Sequence, residues 1–218
     1  MSITQNLKSL YKELPEDVKL VAVSKTKPGD DILEAYEAGQ RIFGENKVQE
    51  MTAKHEALPK DIQWHMIGHL QSNKVKYIVP YVSLIHSVDR LKLFNEINRQ
   101  ANRFKKQVHV LLQVKIAEED SKFGMPMVEA TRFFEENLGD NYPHVTVVGL
   151  MGMATFTDDE SQLKKEFNAL KSLFDTFGES HDLKYLSMGM SGDYEVAISC
   201  GSNMVRVGSA IFGKRNYD

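Results

Sequence analysis

At 218 residues, with 42% hydrophobic and 26% charged residues, the chain has the balance of a globular domain and excludes a disordered or fibrous one. A formal net charge of -3 gives no general attraction to nucleic acid or anionic membranes, and the basic pairs Lys105-Lys106 and Lys214-Arg215 do not interleave with aromatic residues. The single cysteine, Cys200, forbids an internal disulfide, and no stretch approaches the roughly 20 apolar residues of a membrane span. With no secretory pattern at the N-terminus either, the expectation is one cytoplasmic domain over residues 1–218.

Residues 3–13 open with Ile3, Leu7, Leu10 and Leu14 at helical spacing, before Pro15 interrupts. Residues 18–24, VKLVAVS, are rich in β-branched side chains and almost continuously apolar, as in a strand covered on both faces. Pro28 and Asp30-Asp31 start a short helix that stops at Gly39. Further strands are expected at 41–43, 62–66, 82–86, 107–114, 145–150, 185–187 and 204–207. Helices are expected between them at 45–56, 73–79, 90–104, 127–137, 159–177 and 194–199. Eight β-then-α units without a linker define an α/β fold, a single (β/α)8 barrel of the TIM type with an additional N-terminal helix. An open doubly wound sheet is the alternative.

In such a barrel, function sits at the C-terminal ends of the strands. Lys25 directly follows LVAVS, where partial desolvation and neighbouring cations lower an amine's pKa and make it nucleophilic toward a carbonyl. The other reading is a solvated charge starting a loop. In GENKVQE, Gly44 allows close backbone approach and Asn46 both donates and accepts, whereas Glu45 and Gln49 fall four apart, as a surface pair on the following helix would. His65 and His69 in WHMIGHLQSNK invite a metal, yet no nearby cysteine or carboxylate completes a ligand set, so hydrogen-bonded histidines are preferred. Ser87 in HSVD is placed to cap the next helix, Lys122-Phe123-Gly124 to shape the barrel mouth, and GLMGMAT either to pack closely or to wall a cofactor.

The last two strand ends form the strongest group. LSMGMSGDYEVAI presents Gly189, Ser191 and Gly192 before a helix, and VRVGSAIFG brings Arg206, Gly208 and Ser209 to the end of the final strand. Two such loops supply the N–H groups and hydroxyls of a phosphate cradle opposite a strand-one lysine. The set suits a small molecule with an aldehyde at one end and a phosphate at the other.

VAVSKTKP, FGENKVQE, WHMIGHLQSNK, HSVD, GLMGM, LSMGMSGDYEVAI and GSNMVRVGSAIFG together resemble the YggS/PROSC family of pyridoxal phosphate homeostasis proteins, in family order from about Val21 to Gly213. The resemblance implies a lone pyridoxal 5'-phosphate (PLP)-binding barrel, similar to the N-terminal domain of alanine racemase and of fold-type III decarboxylases. It implies Lys25 as the Schiff-base lysine, Asn46 beside the cofactor ring, Ser191, Gly208 and Ser209 on the phosphate, and Arg206 near the pyridine nitrogen. Met188, within the same motif as Ser191, joins the cofactor-binding set. Implied too are a carrier or buffer role in vitamin B6 homeostasis without catalytic turnover, a monomer, and apo forms of PLP-dependent enzymes as candidate partners. The sequence ends soon after the last barrel strand, without the C-terminal β-domain of the racemases. The competing readings are a weak racemase-like PLP enzyme, with His65, Lys122 or Tyr194 as second acid-base group, and a phosphate-binding barrel in which Lys25 forms no imine.

Overall fold

The computed structural model describes residues 2–119 and 123–213, so Lys122, Lys214, Arg215 and Tyr217 lie outside the described residues. The chain runs α1 (Ile3–Glu13), β1 (Lys19–Val23), α2 (Gly29–Glu37), β2 (Ile42–Glu45), α3 (Val48–Ala57), β3 (Gln63–Met66), α4 (Val75–Ile78) and β4 (Leu84–Val88). It continues with α5 (Leu91–Phe104), β5 (Val108–Gln113), α6 (Met127–Glu135), β6 (Val145–Met151), α7 (Glu160–Phe177), β7 (Tyr185–Met190), α8 (Tyr194–Ser199), β8 (Met204–Val207) and α9 (Ser209–Phe212). All eight strands pair in parallel with their sequence neighbours, and β8 closes on β1 with Val21 opposite Arg206. The expected barrel and its extra N-terminal helix are therefore present. Among the described residues no helix is long and apolar enough to cross a membrane.

Local chemistry explains the element ends. Ser2 and Gln5 form a reciprocal capping box at the start of α1, and Asp159 caps α7 by accepting from the N–H groups of Ser161 and Gln162. Trp64, Phe43, Phe94, Phe134 and Phe167 anchor the main core between barrel and helices, while Val21, Leu84, Leu111, Val148, Met151 and Met204 form a smaller cluster inside the barrel.

Three boundaries depart from the sequence reading, each where a strand runs on past its expected end. β2 continues through Glu45, whose backbone pairs with Met66, so Glu45 is a buried strand residue and not a surface partner of Gln49 on a helix. β4 continues through Val88, which buries Ser87 within the strand, and α5 starts after Arg90 without a side-chain cap. β7 extends to Met190, so Met188 is fully buried in the main core.

Gly149 shows how tightly the sheet closes. A Cβ there would lie 1.9 Å from the carbonyl oxygen of Tyr185, on the neighbouring strand. The Gly149→Ala variant is expected to lose about 1–3 kcal/mol of unfolding free energy through this overpacking. Urea titration measures it; an unchanged midpoint would contradict the close approach.

Candidate functional site

Lys25 sits in a turn built from five hydrogen bonds. The Ser24 hydroxyl donates to buried Glu45 (2.6 Å), and Lys54 on α3 donates both to Glu45 (2.8 Å) and to the Ser24 carbonyl (2.8 Å). The Thr26 N–H donates to Glu50 (2.6 Å), and the Lys27 N–H returns to the Ser24 carbonyl (3.0 Å). Thr26 has φ +65°, a left-handed conformation that a β-branched residue adopts only when its surroundings enforce it. Burial pushes the Glu45 carboxyl above its usual range, with the Lys54 ammonium pulling the other way. The turn is thus fixed from α3, and the following side chain is presented at the mouth.

Beneath it lies a cavity of ≈ 600 Å³ at the C-terminal ends of the strands, a size suited to a small-molecule ligand. Lys25, Asn46, Ser191, Arg206, Gly208 and Ser209 all line it, so six of the seven expected residues converge there. Met188, sealed in the core, does not. The Gly208 N–H donates to the Ser191 hydroxyl oxygen (3.1 Å), joining the loops after β7 and β8 and leaving that hydroxyl its own proton to donate. Asn46 is packed against Gly68, where a Cβ would lie 2.4 Å from the Asn46 carbonyl oxygen.

Arg206 forms part of the cavity floor and is 3% exposed. Its guanidinium donates to the Ser187 carbonyl (2.9 Å), the Ser187 hydroxyl (2.6 Å) and the Gly152 carbonyl (3.0 Å). Burial draws its pKa down to about 10, opposed by the charge of Asp193, and it remains a cation at neutral pH. The Ser187 hydroxyl also meets His86 Nδ1 (3.2 Å), and His86 Nε2 meets His65 Nδ1 (2.9 Å). Burial, with the Lys19 charge behind it, lowers His65 to about 3; burial, then the charges of His65 and Arg206, holds His86 well below 6.5. Both rings are neutral.

The loop after β6 supplies another wall, from Met153 to Asp158. It is tied down by Glu166 on α7, which is 3% exposed and accepts from the N–H (2.7 Å) and hydroxyl (2.7 Å) of Thr155 and from the N–H of Glu118 (3.2 Å) in the loop after β5. GLMGMAT therefore includes cavity wall at Met153, Ala154 and Thr155.

The remaining candidates separate. His65 is in the barrel interior, whereas His69 faces Asp89 (3.2 Å) and stacks on Phe123. The Tyr194 hydroxyl donates to Glu13 (3.1 Å) on α1 and does not line the cavity. Sequence reasoning missed Ser187, His86 and Glu166 as supports of the site. Ser187 and His86 fall within the motifs LSMGMSGDYEVAI and HSVD but carry no local signal of their inward contacts, and Glu166 lies outside every motif.

The family described as "Alanine racemase, N-terminal domain" matches residues 1–216. A pyridoxal phosphate homeostasis protein of Pasteurella multocida is 40% identical, over 100% of this chain and 99% of its own length. PipY of Synechococcus elongatus, solved with PLP bound, is 34% identical with a TM-score of 0.88, covering 97% of this chain and 100% of that one. An alanine racemase of Clostridium difficile shares the fold at a TM-score of 0.81 and 15% identity, matching 100% of this chain and 60% of its own.

The two neutral histidines give a pH signature. Their pKa values are depressed in the folded state, so below the ordinary value of 6.5 the unfolded chain takes up protons first. Their contribution is full above that pH and is lost on acidification, at about 1.4 kcal/mol per pH unit for each ring. Glu45, shifted upward, acts in the opposite sense and offsets at most one of the two rings. Urea unfolding between pH 7.5 and 5 should show falling stability; a flat or rising profile would place a proton on the pair.

Proposed function

The chain belongs to the YggS/PROSC family of pyridoxal phosphate homeostasis proteins, within the wider family of alanine racemase N-terminal domains, and from that premise we propose that it binds PLP on Lys25 and keeps it without turnover. The observation that carries this reading is the convergence of Lys25, Asn46, Ser191, Arg206, Gly208 and Ser209 on one cavity. The donor set fits the cofactor: an amine for the aldehyde, two hydroxyls and backbone N–H groups for the phosphate, and a buried cation for the ring edge.

PLP supplies an aldehyde that condenses with an amine, releasing water, and a ring that withdraws electrons. Lys25 is the covalent anchor, and the turn locked by Glu45, Lys54 and Glu50 sets its direction. Ser191 and Ser209 would hold the phosphate through their hydroxyls, with the N–H groups that open α9 beside them. Asn46 flanks the ring. Arg206 stays protonated and would face the ring nitrogen, where, because like charges repel, it would keep a proton off that atom. A ring without that proton is a weaker electron sink, which favours retention over chemistry at a bound amino acid. Tyr194, engaged with Glu13, supplies no second acid-base group at the cavity. We assign the whole of residues 1–218 to this one cytoplasmic domain, with apo forms of PLP-dependent enzymes as its recipients.

The test is the visible absorbance of purified protein with and without PLP, beside Lys25→Ala. A cofactor band and a borohydride-fixable adduct are expected only with Lys25 intact; an adduct retained at the same place in the variant would refute the anchor. Ser209→Ala should keep the adduct while weakening PLP affinity roughly 10- to 100-fold, the worth of a hydrogen bond to a charged group. Unchanged affinity would remove Ser209 from the phosphate. Incubation of the loaded protein with L-alanine should leave its chirality unchanged beyond what free PLP causes, and racemisation above that level would favour the enzyme reading.

A further inference from the structure

A second, smaller pocket lies at the opposite mouth of the barrel, where the strands begin. It measures ≈ 190 Å³ and is lined by Lys19, Gln63, His65, Ser83, His109 and Tyr185, together with apolar side chains. No carboxylate is among its described lining residues. One of its walls is a residue of the barrel interior: His65 is 4% exposed, and among the described residues nothing hydrogen-bonds its Nε2.

The protons in this region have a definite direction. The Arg206 guanidinium can only donate, so the Ser187 hydroxyl accepts from it (2.6 Å) and spends its own proton on His86 Nδ1 (3.2 Å). The neutral His86 ring then carries its proton on Nε2 and donates to His65 Nδ1 (2.9 Å). The neutral His65 ring, which lines the pocket, consequently carries its proton on Nε2, the nitrogen not engaged with His86. Reversing the chain would strand the Ser187 proton without an acceptor, so tautomer and direction are set by the arginine.

The small pocket therefore offers a buried N–H and a lysine ammonium, with amide and hydroxyl groups at its rim and no acid to neutralise them. We propose that it is a second binding site, for a small oxyanion, and that His65, His86 and Ser187 carry its occupancy through the barrel to Arg206 at the floor of the larger cavity. An anion accepting from His65 makes that ring's Nδ1 a better acceptor. The effect passes along the chain, because hydrogen bonds in series polarise one another, and draws Arg206 more firmly onto Ser187. The second half of the proposal, read through the cofactor, rests on PLP binding; the first half does not.

The experiment is a titration with sulfate, whose charge is constant across the pH range of the protein. Imidazole nitrogens are followed by NMR in histidine-labelled protein, alone and loaded with PLP, and the visible spectrum of the loaded form is recorded in parallel. Sulfate should shift His65 saturably in both forms, with His86 following, and Lys19→Ala should weaken its affinity at least tenfold. Lys19 is exposed at the mouth, so that variant reads the site even where a core variant fails to fold. A His65 signal unmoved by sulfate, or moved equally in Lys19→Ala, overturns the site. In loaded protein, sulfate should also change the visible spectrum, and Ser187→Ala should abolish that change while the His65 response persists. A His65 response with no spectral change overturns the coupling. Failure to take up PLP at all sinks the proposed function instead, and the NMR result on the protein alone still decides the site.

Discussion

Burying the Arg206 guanidinium sets the terms for the barrel interior, because taking a charge out of water costs several kcal/mol unless hydrogen bonds replace the lost hydration. Among the described residues it makes no ion pair; the Asp193 charge acts at a distance. Its compensation comes from Ser187 and the Gly152 carbonyl, so β8, β7 and the end of β6 are all committed to one side chain. The polar interior follows from that commitment. Once the Ser187 hydroxyl accepts from the arginine it needs an acceptor of its own, His86 provides it, and His65 provides the next.

The opposite wall uses a different device. Around Lys25, burial falls on a carboxylate, Glu45, whose partners Ser24 and Lys54 belong to the turn and to α3. The pair is 0% and 11% exposed, so removing Lys54 leaves Glu45 buried without its counter-charge, a loss of the kind that destabilises by about 3–5 kcal/mol, whereas Lys54 without Glu45 still pairs with Glu50. Strain at Thr26 is held by the same group of residues. Lys25 is thus carried on a backbone fixed by partners on β2 and α3.

The barrel was legible because apolar runs mark strands covered on both faces, and VKLVAVS and the run before Gln113 could be read directly. What stayed hidden lies where strands carry buried polar residues past the ends of their apolar runs. Glu45 and Ser87 were read as helix-surface and helix-cap residues because polar side chains are ordinarily outside, and here barrel closure buries both. Met188 fell in a motif whose neighbours line the cavity, but alternation along β7 turns it into the outer core. The His65–His86 contact joins residues 21 apart on adjacent strands, which no local pattern reports. The glycine-serine loops were legible as a pair because they end consecutive strands.

Glu166 carries a separate consequence. One carboxylate on an outer helix holds Thr155 from one loop and Glu118 from another. Replacing either loop would strip a buried carboxylate of part of its donors, leaving the other loop and Gln162 to hold it, so the two loops and the first half of α7 are coupled through one side chain. A change in one of these loops is therefore felt in the other through Glu166, and the shape of this wall of the cavity is tied to the stability of an outer helix.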